Sequence, residues 1–322
     1  MISTLCVAII ALWAFGCAAK TPKAALPGGK TVKHRFLIVG EQDNSDITGS
    51  IKPIVHRPII FTRVSSPVDA FSKLLKGHAD FIMFSGQRRL RTAATYPFLS
   101  WTIPVPLGKS IRLAGLFQRY LHLVTTNQSG LQVLEHMKGR TISVGPKRSD
   151  TETAMIHLLK ALGLSCERKT VFCENTPFGK EKDKLIAQRI HMFGLLAPVP
   201  AQNVSLVGSD LRIIAIPKDV IERMNKVSLN VYYPGRIEMK HYVPGSHKSI
   251  ETVAVVDYVT TAAKADRRRV LRLAEDLASK KVVYGADFEA LNVRAVKKLL
   301  GGFTWFPGTA KLFIGKPGKE SY

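Results

Sequence analysis

The sequence predicts an α/β protein of two lobes that are joined by two hinge strands. Short apolar runs alternate with segments whose apolar residues recur every three to four positions, the pattern of strands and helices in a mainly parallel sheet. A chain of 322 residues exceeds the size that one hydrophobic core normally serves. Two extended runs, at residues 122–126 and 239–245, separate the α/β blocks and are the candidate crossovers between lobes.

The first α/β block begins with an apolar strand at residues 36–40, which ends in glycine. A second strand at 59–62 precedes a helix that carries Val68, Phe71 and Leu74 on one face. Another apolar run at 80–84 completes a unit of strand, helix and strand.

The same alternation continues in the middle of the chain. A strand at residues 141–145 leads into a helix at about 151–162, which presents Met155, Leu158, Leu159 and Leu162 on one face and stops at Gly163. Further strands are predicted near residues 169–172, 192–196 and 211–216.

These elements predict four segments. Residues 1–16 are almost wholly apolar and have the length of a signal peptide, and Cys17 follows them as in a bacterial lipoprotein. Lipidation of Cys17, cleavage near Ala18 and an uncleaved anchor all remain open, and each implies export to the periplasm or cell envelope. The segments are a leader at 1–17, a linker at 18–34, lobe 1 at 35–121 with 246–322, and lobe 2 at 122–245.

The formal net charge is +23, from 47 Lys and Arg against 24 Asp and Glu. Such a field attracts anionic ligands, anionic membrane surfaces or nucleic acid. Because the cations are spread along the chain, a solvated basic surface is the simpler interpretation. Cys166 and Cys173 form a disulfide only if the six residues between them turn back, and this is left open.

The most informative stretch is the turn between the strand at 141–145 and the helix that follows it. Lys147 and Arg148 supply charge, Ser149 and Thr151 supply hydroxyl groups, and the start of the helix favours an anion. A bound carboxylate is therefore one prediction for this turn. The alternative is that Ser149 or Asp150 caps the helix and that the two cations are solvated.

Two further loops follow predicted strands and are expected to face the same cleft, because ligands in open α/β sheets bind beyond the carboxyl ends of strands. The loop at 41–46 is acidic and suits an ammonium group or an Asx turn. The predicted ligand-binding residues in these loops are Glu41, Gln42, Asp43, Ser85, Gly86 and Gln87.

Several ordered segments resemble the TAXI-type receptors of TRAP transporters. They include the entry to the third strand at residues 75–80, the strand segments at 109–117 and 122–124, and the entry to the anion-binding helix at 134–145. Residues 197–200, 232–234, 251–255 and 306–310 follow in the family's order.

The resemblance implies a type II-like periplasmic-binding-protein fold. It also implies a receptor that delivers an organic anion or amino acid, glutamate-like or a dicarboxylate, to a TRAP membrane permease. The chain departs from the family at residues 40–45 and 147–151, so the ligand is not carried over from the family.

No enzyme, metal or cofactor is expected. The sequence has no Gly-x-Ser-x-Gly elbow, and its nine histidines form no His-x-x-x-His pair. Nucleic acid is not an expected partner. The alternative function is an orphan basic envelope protein, or a ligand sensor, that binds an anionic surface or a membrane partner.

Overall fold

Two long strands cross the middle of the sheet and organise the rest of the chain. In the computed structural model, β4 (Ile111–Thr126) and β10 (Ser249–Ala262) run antiparallel to each other and are buried along most of their length. Both strands are rich in apolar residues, as strands covered on both faces require, although each also carries polar and charged side chains. The structure describes residues 33–39, 55–64, 67–85, 110–205, 207–228, 231–279 and 304–313.

One half of the sheet lies beside β10. Here β1 (His34–Val39) pairs in parallel with β2 (Ile59–Val64) and with β3 (Phe81–Phe84), and β3 pairs antiparallel with β10. Helix α1 (Pro67–Leu75) connects β2 to β3 and buries Phe71 and Leu74. The predicted unit of strand, helix and strand is confirmed.

The other half lies beside β4, which pairs antiparallel with β7 (Met192–Ala197). Strand β5 (Thr141–Ser143) is parallel to β7 and to β6 (Phe172–Glu174). The sheet order is therefore β2-β1-β3-β10-β4-β7-β5-β6. Two parallel halves joined by two long strands confirm the predicted α/β class with the two-lobed, periplasmic-binding arrangement; the lobe boundaries themselves stay a prediction.

The second crossover lies at a different place from the one predicted. Residues 239–245 contain a short 3-10 turn at Met239–His241 and not a strand, and the crossing segment is β10, which begins at Ser249. Pro244 and Gly245 in the predicted segment favour a turn, and this outweighs its apolar residues. The first crossover at residues 122–126 is confirmed as the end of β4.

Helix α2 (Asp150–Ala161) covers the second half of the sheet. Its Met155, Leu158 and Leu159 are buried, as the spacing predicts. Gly194 on β7 allows close approach, because a Cβ atom there would lie 2.2 Å from the sulfur of Met155. The remaining elements are α3 (Glu181–Ile186), α4 (Gln202–Ser205), β8 (Leu211–Ile213), α5 (Lys218–Lys226), β9 (Tyr233–Glu238), α6 (Arg267–Ser279), β11 (Thr304–Trp305) and α7 (Ala310–Phe313).

A disulfide joins Cys166 and Cys173, with their Cα atoms 5.4 Å apart. The chain turns back between them because the backbone N–H of Thr170 donates to the carbonyl of Ser165, and Lys169 adopts a positive φ of 55°. The bridge that the sequence left open is thus present. It also accounts for the shift of β6 to Phe172–Glu174, since the turn occupies residues 165–170.

Candidate functional site

A buried arginine lies where the two halves of the sheet meet. Arg119, at the middle of β4, is fully buried. Its Nε donates to Asp257 Oδ2 at 2.5 Å, and its Nη2 donates to Asp257 Oδ1 at 3.1 Å. Asp257 lies on the neighbouring β10, so the pair ties the two crossover strands together.

The same guanidinium reaches one residue from each half. Arg119 Nη2 donates to Asp150 Oδ2 at 2.8 Å and lies 3.3 Å from Ser85 Oγ. Ser85 directly follows β3, and Asp150 begins α2 in the turn after β5. Both positions are at the carboxyl ends of parallel strands, where the sequence predicts the cleft.

This network brings together two of the three predicted loops. The sequence predicts that Ser85 faces the turn that contains Ser149 and Thr151. In the structure, Ser85 and Asp150, which lies in that turn, both contact the side chain of Arg119. The other predicted residues of the two loops lie outside the described residues; they are Glu41, Gln42, Asp43, Gly86 and Gln87. The predicted lipidation site, Cys17, also lies outside them.

The hydroxyl groups of the predicted anion turn have internal partners. Ser149 is the N-cap of α2, and its Oγ accepts from the backbone N–H of Glu152 at 3.0 Å. Thr151 Oγ1 accepts from the backbone N–H of Leu196 on β7 at 3.1 Å. Both side chains are fully buried. The capping alternative is therefore confirmed for Ser149, and a ligand role for either hydroxyl stays a prediction.

The two cations of the turn are exposed. Lys147 and Arg148 lie on the surface directly before the cap, and Arg148 has a left-handed backbone with φ 65°. The backbone N–H of Arg148 donates to the Glu152 carboxylate, which also accepts from Asn175 Nδ2 at 2.7 Å. Glu152 thus supplies a negative charge at the helix start, so any ligand anion here depends on Lys147 and Arg148 more than on backbone donors.

A second buried network lies further along β4. His122 is fully buried; its Nδ1 lies 2.9 Å from the Tyr120 carbonyl, and its Nε2 lies 2.7 Å from the hydroxyl of Tyr242. Nδ1 faces carbonyl oxygens and therefore carries the proton, so Nε2 accepts from the Tyr242 hydroxyl, which in turn accepts from the backbone N–H of Ala201 at 2.8 Å. Burial lowers the pKa of His122 to about 4 and raises the pKa of Tyr242. The imidazole is neutral and structural at physiological pH.

The segment from the loop after β6 to the start of α3 holds buried polar atoms without a hydrogen-bond partner. Thr176 Oγ1 and Glu181 Oε1 are of this kind, and both side chains are fully buried. The other oxygen of Glu181 accepts from the backbone N–H of Gly179 at 2.7 Å. Burial raises the pKa of Glu181 to about 6, against the lowering effect of its backbone hydrogen bonds.

Sequence reasoning missed Arg119 and Asp257. The signal that could have found them is a charged residue in the interior of each of two apolar strands, because such a residue is buried only with a partner. Within the described ranges no group of three or more potential metal ligands occurs, and no helix has the length and apolar character to cross a bilayer.

Structural comparison finds similar folds of low sequence identity. The periplasmic aliphatic sulphonate binding protein SsuA from Escherichia coli is 10% identical, with 87% of this chain and 74% of SsuA covered, at a TM-score of 0.38. PhnD1 from Prochlorococcus marinus, in complex with methylphosphonate, is 11% identical, with coverage of 85% and 90% and a TM-score of 0.39. A Xanthomonas citri protein bound to ATP is 12% identical, with coverage of 84% and 96% and a TM-score of 0.40.

No curated protein matches the sequence. A family model does match, over residues 107–294, which is more than half of the chain. The matched segment contains both crossover strands, Arg119, Asp150 and Asp257. The chain belongs to the NMT1-like family.

Proposed function

We propose that the protein is an extracytoplasmic solute-binding receptor of a membrane transporter, which captures a small organic anion or amino acid between its two halves. It is not an enzyme on this proposal. The observation that carries the proposal is the contact of Ser85 and Asp150 with Arg119, because it joins the carboxyl-end loops of both halves at one point.

A ligand beside this point would touch both halves of the sheet. Each half is linked to the other through β4 and β10, so the halves can close about two strands as in hinge-closing receptors. Arg119 is already bound by two carboxylates, which fixes its position. In this proposal Arg119 holds the loops in place, and the ligand's carboxylate lies against the exposed Lys147 and Arg148.

The disulfide supports export. Disulfides persist in oxidising compartments such as the bacterial periplasm. The Cys166–Cys173 bridge therefore agrees with the leader that residues 1–17 predict. Lipidation of Cys17 belongs to the same proposal as one way in which the exported chain is held at the membrane.

A finer proposal rests on the TAXI resemblance. The receptor would then deliver a glutamate-like or dicarboxylate ligand to a TRAP permease. Glu41, Gln42, Asp43, Gly86 and Gln87 would complete the binding site from the first half, together with Ser85. No cofactor is part of this proposal.

The test is thermal unfolding in a panel of amino acids and dicarboxylates that includes glutamate and succinate. A ligand present at about 100 times its Kd adds about 2.7 kcal/mol to the unfolding free energy. The double variant Lys147→Ala/Arg148→Ala should reduce this gain. The matched control is Lys138→Ala/Arg140→Ala. It also removes two exposed cations, but these precede β5, whereas Lys147 and Arg148 follow it. A melting temperature that no compound changes would overturn the proposal.

A further inference from the structure

We infer that one end of the first half of the sheet is a docking surface for an anionic lipid bilayer. This inference goes beyond the proposed receptor function and does not depend on it. The surface, called here the amino-end face, lies where β1, β2 and β3 begin.

The strand register brings this end together. His34, the first residue of β1, pairs with Ile59, the first residue of β2, and Phe36 pairs with Phe81 at the start of β3. Strand β10 runs the other way, so its last residue, Ala262, pairs with Ile111 at the start of β4. The segments directly before β1, β2 and β3 and directly after β10 therefore lie at one end of the sheet.

Those segments are rich in cations. The turn after β10 and the first turn of α6 are exposed and carry three of them, and the positions before β1, β2 and β3 carry one each. None of these six has an acidic partner among the described residues. They are Lys33, Arg57, Lys76, Lys264, Arg267 and Arg268.

Three acidic residues of the face are already engaged. Asp80 accepts from Arg35 and from Arg269, and its carboxylate oxygen lies 2.9 Å and 2.6 Å from their guanidinium nitrogens. Asp276 is paired with His56 at 2.8 Å, and Asp266 accepts from the backbone N–H of Arg269. The charge that the face presents to solvent is therefore strongly positive.

The amino-end face is separate from the candidate ligand site. Arg119 lies eight residues along β4 from Ile111, roughly 25 Å at the rise of a strand. A ligand at Arg119 and a bilayer at the amino-end face can therefore be bound at the same time.

A bilayer fits this surface better than nucleic acid does. The polypeptide enters the fold on this face, since Lys33 directly precedes β1. In the sequence before it, the apolar residues 1–16 are followed by Lys20, Lys23 and Lys30. Stable membrane attachment commonly combines an apolar anchor with a basic surface, because each alone binds weakly.

The described part of the face also offers no aromatic platform for bases. Proteins that bind single strands stack them on exposed aromatic rings. Among the described residues the exposed large aromatic side chain is Phe172, on the edge strand β6 of the other half. The amino-end face thus combines cations with the exposed apolar side chains of Ile60 and Leu75, a chemistry that suits the headgroup region of an anionic bilayer.

The experiment measures partitioning of the full chain onto phosphatidylcholine vesicles with and without one third phosphatidylglycerol. The test variant is Lys264→Glu/Arg267→Glu/Arg268→Glu. These residues are exposed, and acidic residues at a helix start stabilise the helix, so the variant should fold. The control variant is Lys138→Glu/Arg168→Glu/Arg189→Glu, which makes the same charge change at exposed positions before β5, β6 and β7.

The control positions lie at the opposite end of the sheet, because β5, β6 and β7 run antiparallel to β4. The gain in binding on adding phosphatidylglycerol should fall at least about 100-fold in the test variant, since each basic residue near such a surface contributes about five-fold. In the control variant this gain should stay close to that of the wild type. In 0.5 M salt the gain should disappear for all three proteins.

The readout is the ratio of the partition coefficients for the two vesicle types. Apolar binding by residues 1–16 contributes equally to both coefficients and cancels in this ratio. Equal losses in both triple variants would overturn the inference, because the effect would then follow net charge and not this face. An unchanged ratio in the test variant would overturn it as well. So would tighter binding to a 20-base-pair duplex than to the anionic vesicles, with the same sensitivity to the three substitutions.

Discussion

Asp257 on β10 binds the guanidinium of Arg119 on β4 through both carboxylate oxygens, at 2.5 and 3.1 Å, and both side chains are fully buried. Neither strand can slide along the other without breaking this pair. The pair therefore fixes the register of the two crossover strands at the level where Ser85 and Asp150 meet Arg119.

Loss of the Asp257 charge should destabilise the protein strongly. Asp257→Asn leaves the buried guanidinium with one carboxylate fewer, and we expect the unfolding free energy to fall by about 3 kcal/mol. Urea unfolding measures this. The matched control is Asp219→Asn, which breaks an exposed pair with Arg223 and should cost less than about 1 kcal/mol. Equal costs would show that burial of the Arg119 pair does not matter.

Close packing of β7 against α2 should make Gly194 intolerant of a side chain. In Gly194→Ala the new methyl group would overlap Met155, whose Sδ and Cγ would lie 2.2 and 2.5 Å away, and we expect a loss of about 1–3 kcal/mol. Adding Met155→Ala should make the Gly194→Ala substitution nearly neutral. A double-mutant cycle by denaturant unfolding tests this, and additive costs would contradict the contact.

The disulfide should stabilise the fold by about 2 kcal/mol, because it closes a short loop in the unfolded chain. Dithiothreitol should lower the urea midpoint of the wild type and leave Cys166→Ser/Cys173→Ser unchanged. If reduction, verified by a thiol assay, left the wild-type midpoint where it was, the bridge would be of no consequence for stability.

Glu181 should make stability depend on pH. Burial raises its pKa in the folded state to about 6, so its contribution to stability is fully present below the unfolded pKa near 4.5 and is lost as the pH rises through 6. The loss amounts to about 2 kcal/mol. His122 acts in the opposite sense, because its lowered pKa costs stability as the pH falls from 6.5 towards 4.

Glu181→Gln isolates the first effect, since His122 is common to both proteins. The amide keeps an oxygen for the Gly179 N–H and does not ionise. The wild type should lose about 2 kcal/mol relative to the variant between a pH well below 4.5 and a pH well above 6, as measured by urea unfolding at a series of pH values. A difference that is independent of pH would contradict the shifted pKa.

Periodicity predicted most of the fold. The strands of the first half and helix α2 appear where apolar spacing places them, because those segments bury one continuous face. The second crossover was misplaced because residues 239–245 were interpreted as an extended link between α/β blocks, although Pro244 and Gly245 favour a turn there. The long β10 carries polar residues such as Thr252 and Asp257, which broke its pattern.

The candidate site was only partly accessible from the sequence. The turn at residues 147–151 and Ser85 were found because each follows a strand. Arg119 lies inside a strand and acts across a separation of 138 residues from Asp257, and no local pattern reports such a pairing. Likewise, Ser149 and Thr151 bond internally to Glu152 and Leu196, which depends on tertiary contacts that the spacing of residues does not show.

In the proposed function, the protein holds a small organic anion or amino acid between its two halves. The most direct measurement is mass spectrometry of the small molecules released when the protein, purified without denaturant, is unfolded. We predict release of one carboxylate-bearing compound in near-stoichiometric amount, and its loss from the Lys147→Ala/Arg148→Ala variant. Equal retention by that variant, or release of no such compound from wild-type protein that also gains no stability in the ligand panel, would contradict the account.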